Sequence, residues 1–155
     1  MIAGFALCLA LLVSVPVMAD EAKVLAGVKL DAEKLAGINL PSYEQFVVPE
    51  KVLDGNHQPR GEVLHYGDQL IVEVYEDDPA TFLYDEPWIY DEFVTILSGK
   101  LILTTTGGEP QEYVAGDNLV VPKGFTGTWQ MLGNYRELVA IERTAFEKAY
   151  GSGEE

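Results

Sequence analysis

The apolar positions of this 155-residue chain fall into short stretches separated by polar or turn-forming residues. Residues 69–76 (QLIVEVYE) are rich in β-branched side chains and partly alternating, and the apolar stretch 93–97 (FVTIL) ends at Ser98-Gly99. Gly107-Gly108 is typical of a hairpin tip, and Pro122-Lys123-Gly124 of a tight turn. This pattern indicates half-buried β-strands. We predict strands at 69–76, 93–97, 100–106, 111–114, 118–121, 126–132 and 135–143.

The pattern assigns the chain to the all-β class without choosing one fold. Short strands at this spacing are typical of sandwiches and closed barrels, so jelly-roll, lipocalin-like and immunoglobulin-like folds all remain open. Asp31 is placed to cap a short helix over 32–36, and Thr144 to cap one over 145–150. The predicted flanking segments are an N-terminal arm at 20–48 and a C-terminal helix and tail at 144–155.

The N-terminal segment has the composition of an export signal. Residues 1–19 contain no charged side chain, and the small residues Val17 and Ala19 stand at the −3 and −1 positions of a cleavage site. We predict a signal peptide over 1–19 and an exported, periplasmic or extracellular protein. No basic residue precedes the apolar run, so the alternative is an uncleaved segment that anchors the protein in a membrane. Cys8 is the only cysteine, so the mature chain would hold no disulfide.

The charge balance narrows the classes of partner. The chain has 25 acidic and 10 basic residues, a formal net charge of −15. Such a surface repels phosphate backbones and anionic lipid headgroups. We therefore expect no nucleic-acid partner and, after signal cleavage, no membrane partner.

Two motifs carry a family resemblance. Glu92 opens an apolar strand that ends at Gly99, and Gly116-Asp-Asn-Leu-Val-Val-Pro-Lys-Gly124 places five residues between a glycine and Pro-x-Gly. Together these resemble the two characteristic blocks of the cupin superfamily. Phe125-Thr-Gly-Thr-Trp129 and Tyr135-Arg136 resemble the branch related to ureidoglycine aminohydrolase. The resemblance implies a single RmlC-like jelly-roll barrel over 49–143.

The resemblance also implies a metal site that this sequence lacks. Cupin metal sites generally combine a His-x-His pair, a glutamate and a third histidine, which converge inside the barrel on a divalent ion. The first pair falls here on Glu86 and Trp88, or on Asp85 and Pro87 in the other register, and the third histidine on Gly127. Only the glutamate, Glu92, is retained.

We therefore predict a protein without a metal cofactor. The two histidines, His57 and His65, lie upstream of both motifs. The alternative is a divalent metal held by Glu92 with His65 or Glu86, a weak site built mainly from oxygen ligands.

The remaining residues predict an aromatic and acidic pocket. Trp129 and Met131 follow Gly127 at even spacing, so alternation along the strand directs all three to one face. Such a lining suits a small neutral or cationic organic molecule. Arg60 and Arg136 are candidates for ion pairs with this acidic mouth. The predicted pocket residues are Glu86, Trp88, Tyr90, Glu92, Gly127, Trp129 and Met131.

Three functions are consistent with the sequence. The first is a metal-free exported cupin that binds a small molecule or serves as a non-catalytic module. The second is a hydrolase or isomerase of the ureidoglycine aminohydrolase-like type, with Glu92 as the best catalytic candidate and Tyr90 or Glu86 assisting it. The third is a structural barrel that forms a homodimer through edge strands.

Overall fold

The computed structural model describes residues 26–151. The predicted signal peptide at 1–19 lies outside the described residues. No helix within 26–151 is long and apolar enough to cross a membrane. The elements are α1 (Ala32–Leu35), a 3-10 helix (Pro49–Lys51), β1 (Val52–Gly55), β2 (Arg60–Tyr66), β3 (Leu70–Asp77), β4 (Ala80–Tyr84), β5 (Glu92–Thr105), β6 (Pro110–Val114), β7 (Asn118–Val121), β8 (Gly127–Glu142) and α2 (Arg143–Tyr150).

Strand β8 pairs with three other strands of the sheet. Its first half, 127–131, pairs with β4, and its second half, 135–142, pairs with β3. Strand β5 runs along the other side of β8 through both halves, and also pairs with β6 and β7. All these pairings are antiparallel. Within the described part of the chain the eight strands form one sheet, which the jelly-roll topology rolls around an apolar interior, so the all-β barrel prediction is confirmed.

Two predicted strand pairs are each one long strand. The sequence predicts breaks near Ser98-Gly99 and between 132 and 135, but β5 and β8 continue through both. Gly99 and Gly133 each adopt a φ of 72°, and β-bulges occur on both sides of Ser98. The two strands therefore bend together at these glycines instead of ending there, because glycine tolerates the left-handed conformation. Strand β4, which was not predicted, begins directly after Asp77-Asp78-Pro79.

The terminal helices differ from the prediction only at their ends. Asp31 caps α1 as expected, accepting hydrogen bonds from the backbone N–H groups of residues 33 and 34. The cap of α2 is Glu142 and not Thr144. The Glu142 carboxylate accepts from the N–H groups of residues 144 and 145, because a longer acidic side chain at the strand end reaches the first turn.

The N-terminal arm lies against the start of β2. The N–H of Tyr43 donates to the carbonyl of Pro59 at 2.8 Å, and the side-chain amide of Gln45 donates to the carbonyl of His57 at 2.6 Å. These contacts hold residues 43–46 at one end of the barrel. The arm thereby contributes to the entrance of the interior.

The tightest backbone contact in the barrel involves Gly127. This residue has a φ of 149°, and a Cβ placed on it would lie 2.0 Å from the carbonyl oxygen of Thr104 on β5. Any side chain at this position would therefore push β5 and β8 apart. Gly127 is required by packing between two strands.

We expect Gly127→Ala to destabilise the barrel by about 2 kcal/mol or more beyond the cost of an unfavourable φ alone. Gly116→Ala is the matched control, since Gly116 has a φ of 96° but a Cβ added there would meet no heavy atom within 4 Å. Urea unfolding of both variants measures the difference. Equal losses of stability would contradict the packing argument.

Candidate functional site

A cavity of about 380 Å³ opens at one end of the barrel. Its walls come from the arm, from five of the strands, from the segment between β4 and β5, and from α2. The size is that of a small-molecule site. The lining residues are Tyr43, Glu44, Phe46, Val63, Glu73, Tyr75, Phe82, Tyr84, Trp88, Glu92, Trp129, Glu137 and Phe146.

Three glutamates on adjacent strands enter this cavity. Glu73 lies on β3, Glu137 on β8 and Glu92 on β5, and all three line the cavity. In the strand register Glu73 pairs with Val139 and Glu92 with Ile141, which both follow Glu137 on β8 at even spacing. Residues two apart on a strand share a face, and the three carboxyl groups therefore occupy successive rows of the inner face.

Glu92 is the most isolated of the three acids. Its side chain is buried, with only 6% of the residue exposed, and Oε2 has no hydrogen-bond partner within residues 26–151. Burial, followed by the charges of Glu137 and Glu73, raises its pKa well above the usual range. The indole N–H of Trp88 is close enough to oppose this rise slightly, but its geometry is not that of a hydrogen bond, and Trp88 Nε1 is also left without a partner among these residues. Burial therefore favours the neutral form of Glu92 in the cavity.

The other two glutamates titrate near neutral pH. Burial raises the pKa of Glu137 to about 8, against the opposing effect of the hydrogen bond donated by the Tyr135 hydroxyl. Burial alone raises the pKa of Glu73 to about 7, although this residue keeps partial solvent access. The partial exposure is consistent with a position on the cavity wall, where protein atoms still surround most of the carboxyl group. The cavity thus changes charge over the physiological pH range.

A fourth buried carboxylate, Asp77, has a structural role and differs from the cavity acids in its hydrogen bonding. It is 1% exposed, but both of its oxygens accept hydrogen bonds. Fully bonded carboxylates of this kind are stable when buried. The donors are His57 Nδ1 (2.6 Å), the Tyr75 hydroxyl (2.6 Å), and the N–H groups of Gln58 (2.7 Å) and Asp78 (2.8 Å).

Aromatic rings form the walls beside the acids. The Trp88 and Trp129 rings are nearly parallel, with centroids 6.3 Å apart and planes at 25°. Tyr84 packs edge-on against Trp88 at 4.9 Å. Two backbone hydrogen bonds fix the segment that carries Trp88: its N–H donates to the carbonyl of Phe125, and its carbonyl accepts from the N–H of Gly124. The Pro-x-Gly turn therefore positions one wall of the cavity.

The structure brings together three of the seven predicted pocket residues. Trp88, Glu92 and Trp129 line the cavity. Gly127 and Met131 share the inner face with Trp129, as alternation predicts, but they are buried in the packed interior and do not line the cavity.

The remaining two predicted pocket residues lie elsewhere. Tyr90 is buried in a second apolar cluster with Ile71, Val139 and Ile141. Glu86 is exposed and lines a second pocket, which shares Trp88 and Tyr84 with the cavity. It lies in the segment that connects β4 to β5, where strand alternation does not apply.

The histidines and arginines also lie outside the cavity lining. His65 pairs with Val72, which precedes Glu73 on β3 and therefore faces the opposite side of the sheet. Arg60 and Arg136 do not reach the acidic mouth, because both pair with Glu76 on the outer face, at 2.9 and 2.8 Å.

His57 does not have a nitrogen available for a metal ion. Its Nε2 accepts from the N–H of Val47 at 3.4 Å, and its Nδ1 contacts Asp77. Across residues 26–151, no three His, Cys, Asp or Glu side chains are grouped so that they could hold a metal ion.

The sequence prediction missed Glu137 and Glu73. Glu137 was accessible to the same argument that placed Trp129: even spacing from Gly127 continues through Tyr135 to Glu137, because the bend at Gly133 keeps the alternation. Glu73 carried no such signal. Val72 and Val74 on one face of β3 are as apolar as Ile71 and Tyr75 on the other.

The comparisons with known proteins identify the fold. Residues 83–138 match the family model for the EutQ-like cupin domain. None of the curated proteins compared matches the sequence. A protein of unknown function from Pseudomonas syringae has a similar structure, with a TM-score of 0.59 and 20% identity over 66% of this chain. The match covers 43% of that protein, so the chain spans less than half of its length.

Two further solved structures are similar at lower scores. The Clostridium difficile EutQ protein has a TM-score of 0.49 and 20% identity, over 62% of this chain and 79% of its own. An RmlC-like cupin from Shewanella frigidimarina has a TM-score of 0.48 and 15% identity, over 67% and 95%. The match to the family model confirms the cupin fold. The ureidoglycine aminohydrolase-like branch stays a prediction.

The raised pKa values predict how stability depends on pH. Between the ordinary glutamate pKa of 4.5 and about 8, the folded state keeps protons on Glu73 and Glu137 that the unfolded chain releases. The free energy of unfolding therefore falls as pH rises through this range, by about 1.4 kcal/mol for each unit of pKa difference. Urea unfolding at pH 5 and pH 8 measures the fall.

Glu137→Gln is expected to flatten this pH dependence, because a neutral amide replaces the titrating group. Glu109→Gln, in the exposed turn before β6, removes one acidic group equally and controls for the general effect of net charge. A wild-type protein that becomes more stable from pH 5 to pH 8 would refute the assignment of buried neutral acids.

Proposed function

We propose that this chain, a barrel with the cupin fold, binds a small organic cation in its interior cavity. One observation carries the proposal: Glu73, Glu92 and Glu137 share a cavity whose lining, within residues 26–151, includes no Lys, Arg or His. Within residues 26–151, Asp77 and Glu76 have hydrogen-bonding partners and Glu92 Oε2 has none. A ligand with positive charge would supply the counter-charge that the three cavity acids lack.

The electrostatics of the empty cavity favour a cation over other ligands. Burial holds the acids neutral, since an unpaired carboxylate away from water is costly. A bound cation stabilises the ionised form and lowers the pKa values of these groups. Binding then releases protons, and the affinity for a permanently charged ligand rises with pH.

The aromatic wall is suited to the same ligand. Trp88, Trp129 and Tyr84 present ring faces and edges to the cavity, and a cation within about 6 Å of a ring centroid is attracted by the ring quadrupole. The rings also bury the apolar part of an organic molecule. Carboxyl groups and rings together therefore match both parts of an alkyl- or aryl-ammonium ion.

A resident metal is a poorer match. The cupin resemblance implies imidazole ligands, and the positions for them hold Glu86, Trp88 and Gly127. Glu86 is exposed outside the cavity, and Gly127 has no side chain. We therefore propose that binding is independent of metal.

The other hypotheses from the sequence are weaker proposals. Catalysis by Glu92 would now use Glu73 or Glu137 as its partner, because Glu86 and Tyr90 do not line the cavity. Glu73, with a pKa of about 7, has the acidity expected of a general base. If the protein converted a bound amine chemically, that result would favour catalysis of the ureidoglycine aminohydrolase-like type over binding alone. Export and homodimer formation remain predictions.

Titration calorimetry with phenethylamine and with uncharged 2-phenylethanol tests the proposal. We expect the amine to bind and the alcohol to bind at least about tenfold more weakly at pH 8. The affinity for the amine should rise about tenfold or more from pH 6 to pH 8, as the acids ionise. Failure of every cationic probe to bind, or equal binding of charged and uncharged probes, would refute the proposed function.

Variants locate the binding site. Glu92→Gln and Glu137→Gln should each weaken amine binding about tenfold, because each removes one negative charge from the cavity. Glu86→Gln is the matched control, since it removes a charge of the same kind from an exposed residue that does not line the cavity. An equal loss in the control would show that general surface charge, and not the cavity, attracts the ligand.

Elemental analysis of the purified protein tests metal independence. We expect far less than one transition metal per chain and no change in amine affinity after treatment with a chelator. One stoichiometric metal per chain, with affinity lost on chelation, would show that the acids serve a metal site.

A further inference from the structure

The wall of the cavity carries an unpaired donor beside an unpaired acceptor. Trp88 Nε1 and Glu92 Oε2 are both buried, and neither has a hydrogen-bond partner among the described residues. Both side chains line the same cavity. The hydrogen-bonding effect of the Trp88 indole lowers the pKa of Glu92, so the two side chains are neighbours, although the two atoms do not meet the geometry of a hydrogen bond. Buried polar atoms without partners are rare in native proteins, and a pair of them in a cavity wall indicates a group supplied by a ligand.

The chemistry of these two atoms limits what can satisfy both. The indole N–H only donates, and an ionised carboxylate only accepts. An ammonium group also only donates, so it can pair with Glu92 but leaves Trp88 Nε1 without an acceptor. A hydroxyl group both accepts and donates through one oxygen. It is the smallest organic group that can satisfy the two atoms together.

We infer that the ligand is a hydroxylated organic cation, whose hydroxyl group is bound between Trp88 Nε1 and Glu92 Oε2 and whose cationic group lies toward Glu73 and Glu137. This inference rests on the proposed function and assigns separate parts of the ligand to separate acids. Trp88 becomes a specificity-determining residue through its N–H, in addition to its ring face. Glu73 and Glu137, on β3 and β8, provide the remaining negative charge.

Water is the simplest competitor for this position. An ordered water molecule has the same ability to accept from Trp88 and donate to Glu92. If water fills the position equally well with every ligand, a hydroxyl group on the ligand gives no gain in affinity. The comparison of hydroxylated and plain amines distinguishes the two cases.

Matched pairs of amines test the inference by calorimetry at pH 8. The pairs are phenethylamine with tyramine, and propylamine, butylamine and pentylamine with their ω-hydroxy derivatives. We expect the hydroxylated member of the best-fitting pair to bind about tenfold more tightly, the gain typical of one hydrogen bond to a charged group. No gain in any pair, with the plain amines still bound, would overturn the inference and leave the proposed function intact. No binding of any amine would overturn both.

Substitutions test whether the Trp88 N–H is responsible for the tighter binding of the hydroxylated amines. Trp88→Phe keeps an aromatic ring but removes the N–H, and we expect it to abolish the gain from the hydroxyl group, measured as the ratio of the two affinities within each pair of amines. Trp129→Phe is the matched control, which should keep the gain. Glu73→Gln should weaken both members of each pair equally. A gain that survives Trp88→Phe would refute the role of the indole N–H.

A measurement on the unmodified protein covers the case in which Trp88→Phe does not fold. The chain has two tryptophans, so a ¹⁵N-labelled sample gives two indole N–H resonances, and Trp129→Phe assigns them. We expect the Trp88 resonance to move downfield with a hydroxylated amine and much less with its plain partner. Equal shifts with both members of a pair would refute the inference.

Discussion

The desolvation of three acids in one cavity is the constraint from which the rest of this site follows. Glu73, Glu92 and Glu137 are stable inside the barrel only as neutral acids or beside a positive charge. The same barrel bonds its other inward and outward carboxylates fully: Asp77 to His57 and three further donors, and Glu76 to two arginines. The chain therefore does not lack the means to compensate buried charge. It compensates Asp77 and Glu76, whereas Glu92 Oε2 has no partner among the described residues and Glu137 accepts a hydrogen bond from the Tyr135 hydroxyl without a counter-charge in the cavity lining.

The sheet explains how acids distant in sequence meet. Strand β8 runs through the whole barrel, with β3 on one side and β5 on the other, so one acid from each strand reaches the same interior. In the strand register Glu73 on β3 pairs with Val139, and Glu92 on β5 pairs with Ile141 on the other side of β8. Within the described residues the acids do not form a group that could hold a metal ion. This arrangement favours a ligand with several atoms over a single ion.

The fold could be predicted from the sequence because the turn residues and the two motifs are short segments that can be recognised without knowledge of tertiary contacts. Sequence reasoning placed Trp129 inside by period-two alternation from Gly127, and Glu92 by the resemblance to the cupin motif. It misplaced Glu86, because the segment between β4 and β5 has no regular period. It missed Glu73, because both faces of β3 are apolar and only the tertiary packing decides which one faces inward. It also named Arg60 and Arg136 as candidates for ion pairs with the acidic mouth, whereas both pair with Glu76.

The departures from the cupin metal pattern and the unpaired acids have one physical explanation. In the pattern that the sequence resembles, a glutamate inside the barrel is balanced by an ion that three imidazoles hold. Here the positions of those imidazoles hold an exposed acid, an indole and a glycine whose Cα packs against Thr104. The retained Glu92 loses the partner for which the pattern provides, and Glu73 and Glu137 add further acid groups around it. The interior therefore keeps the negative half of an ion pair, and the positive half must arrive with the molecule that binds.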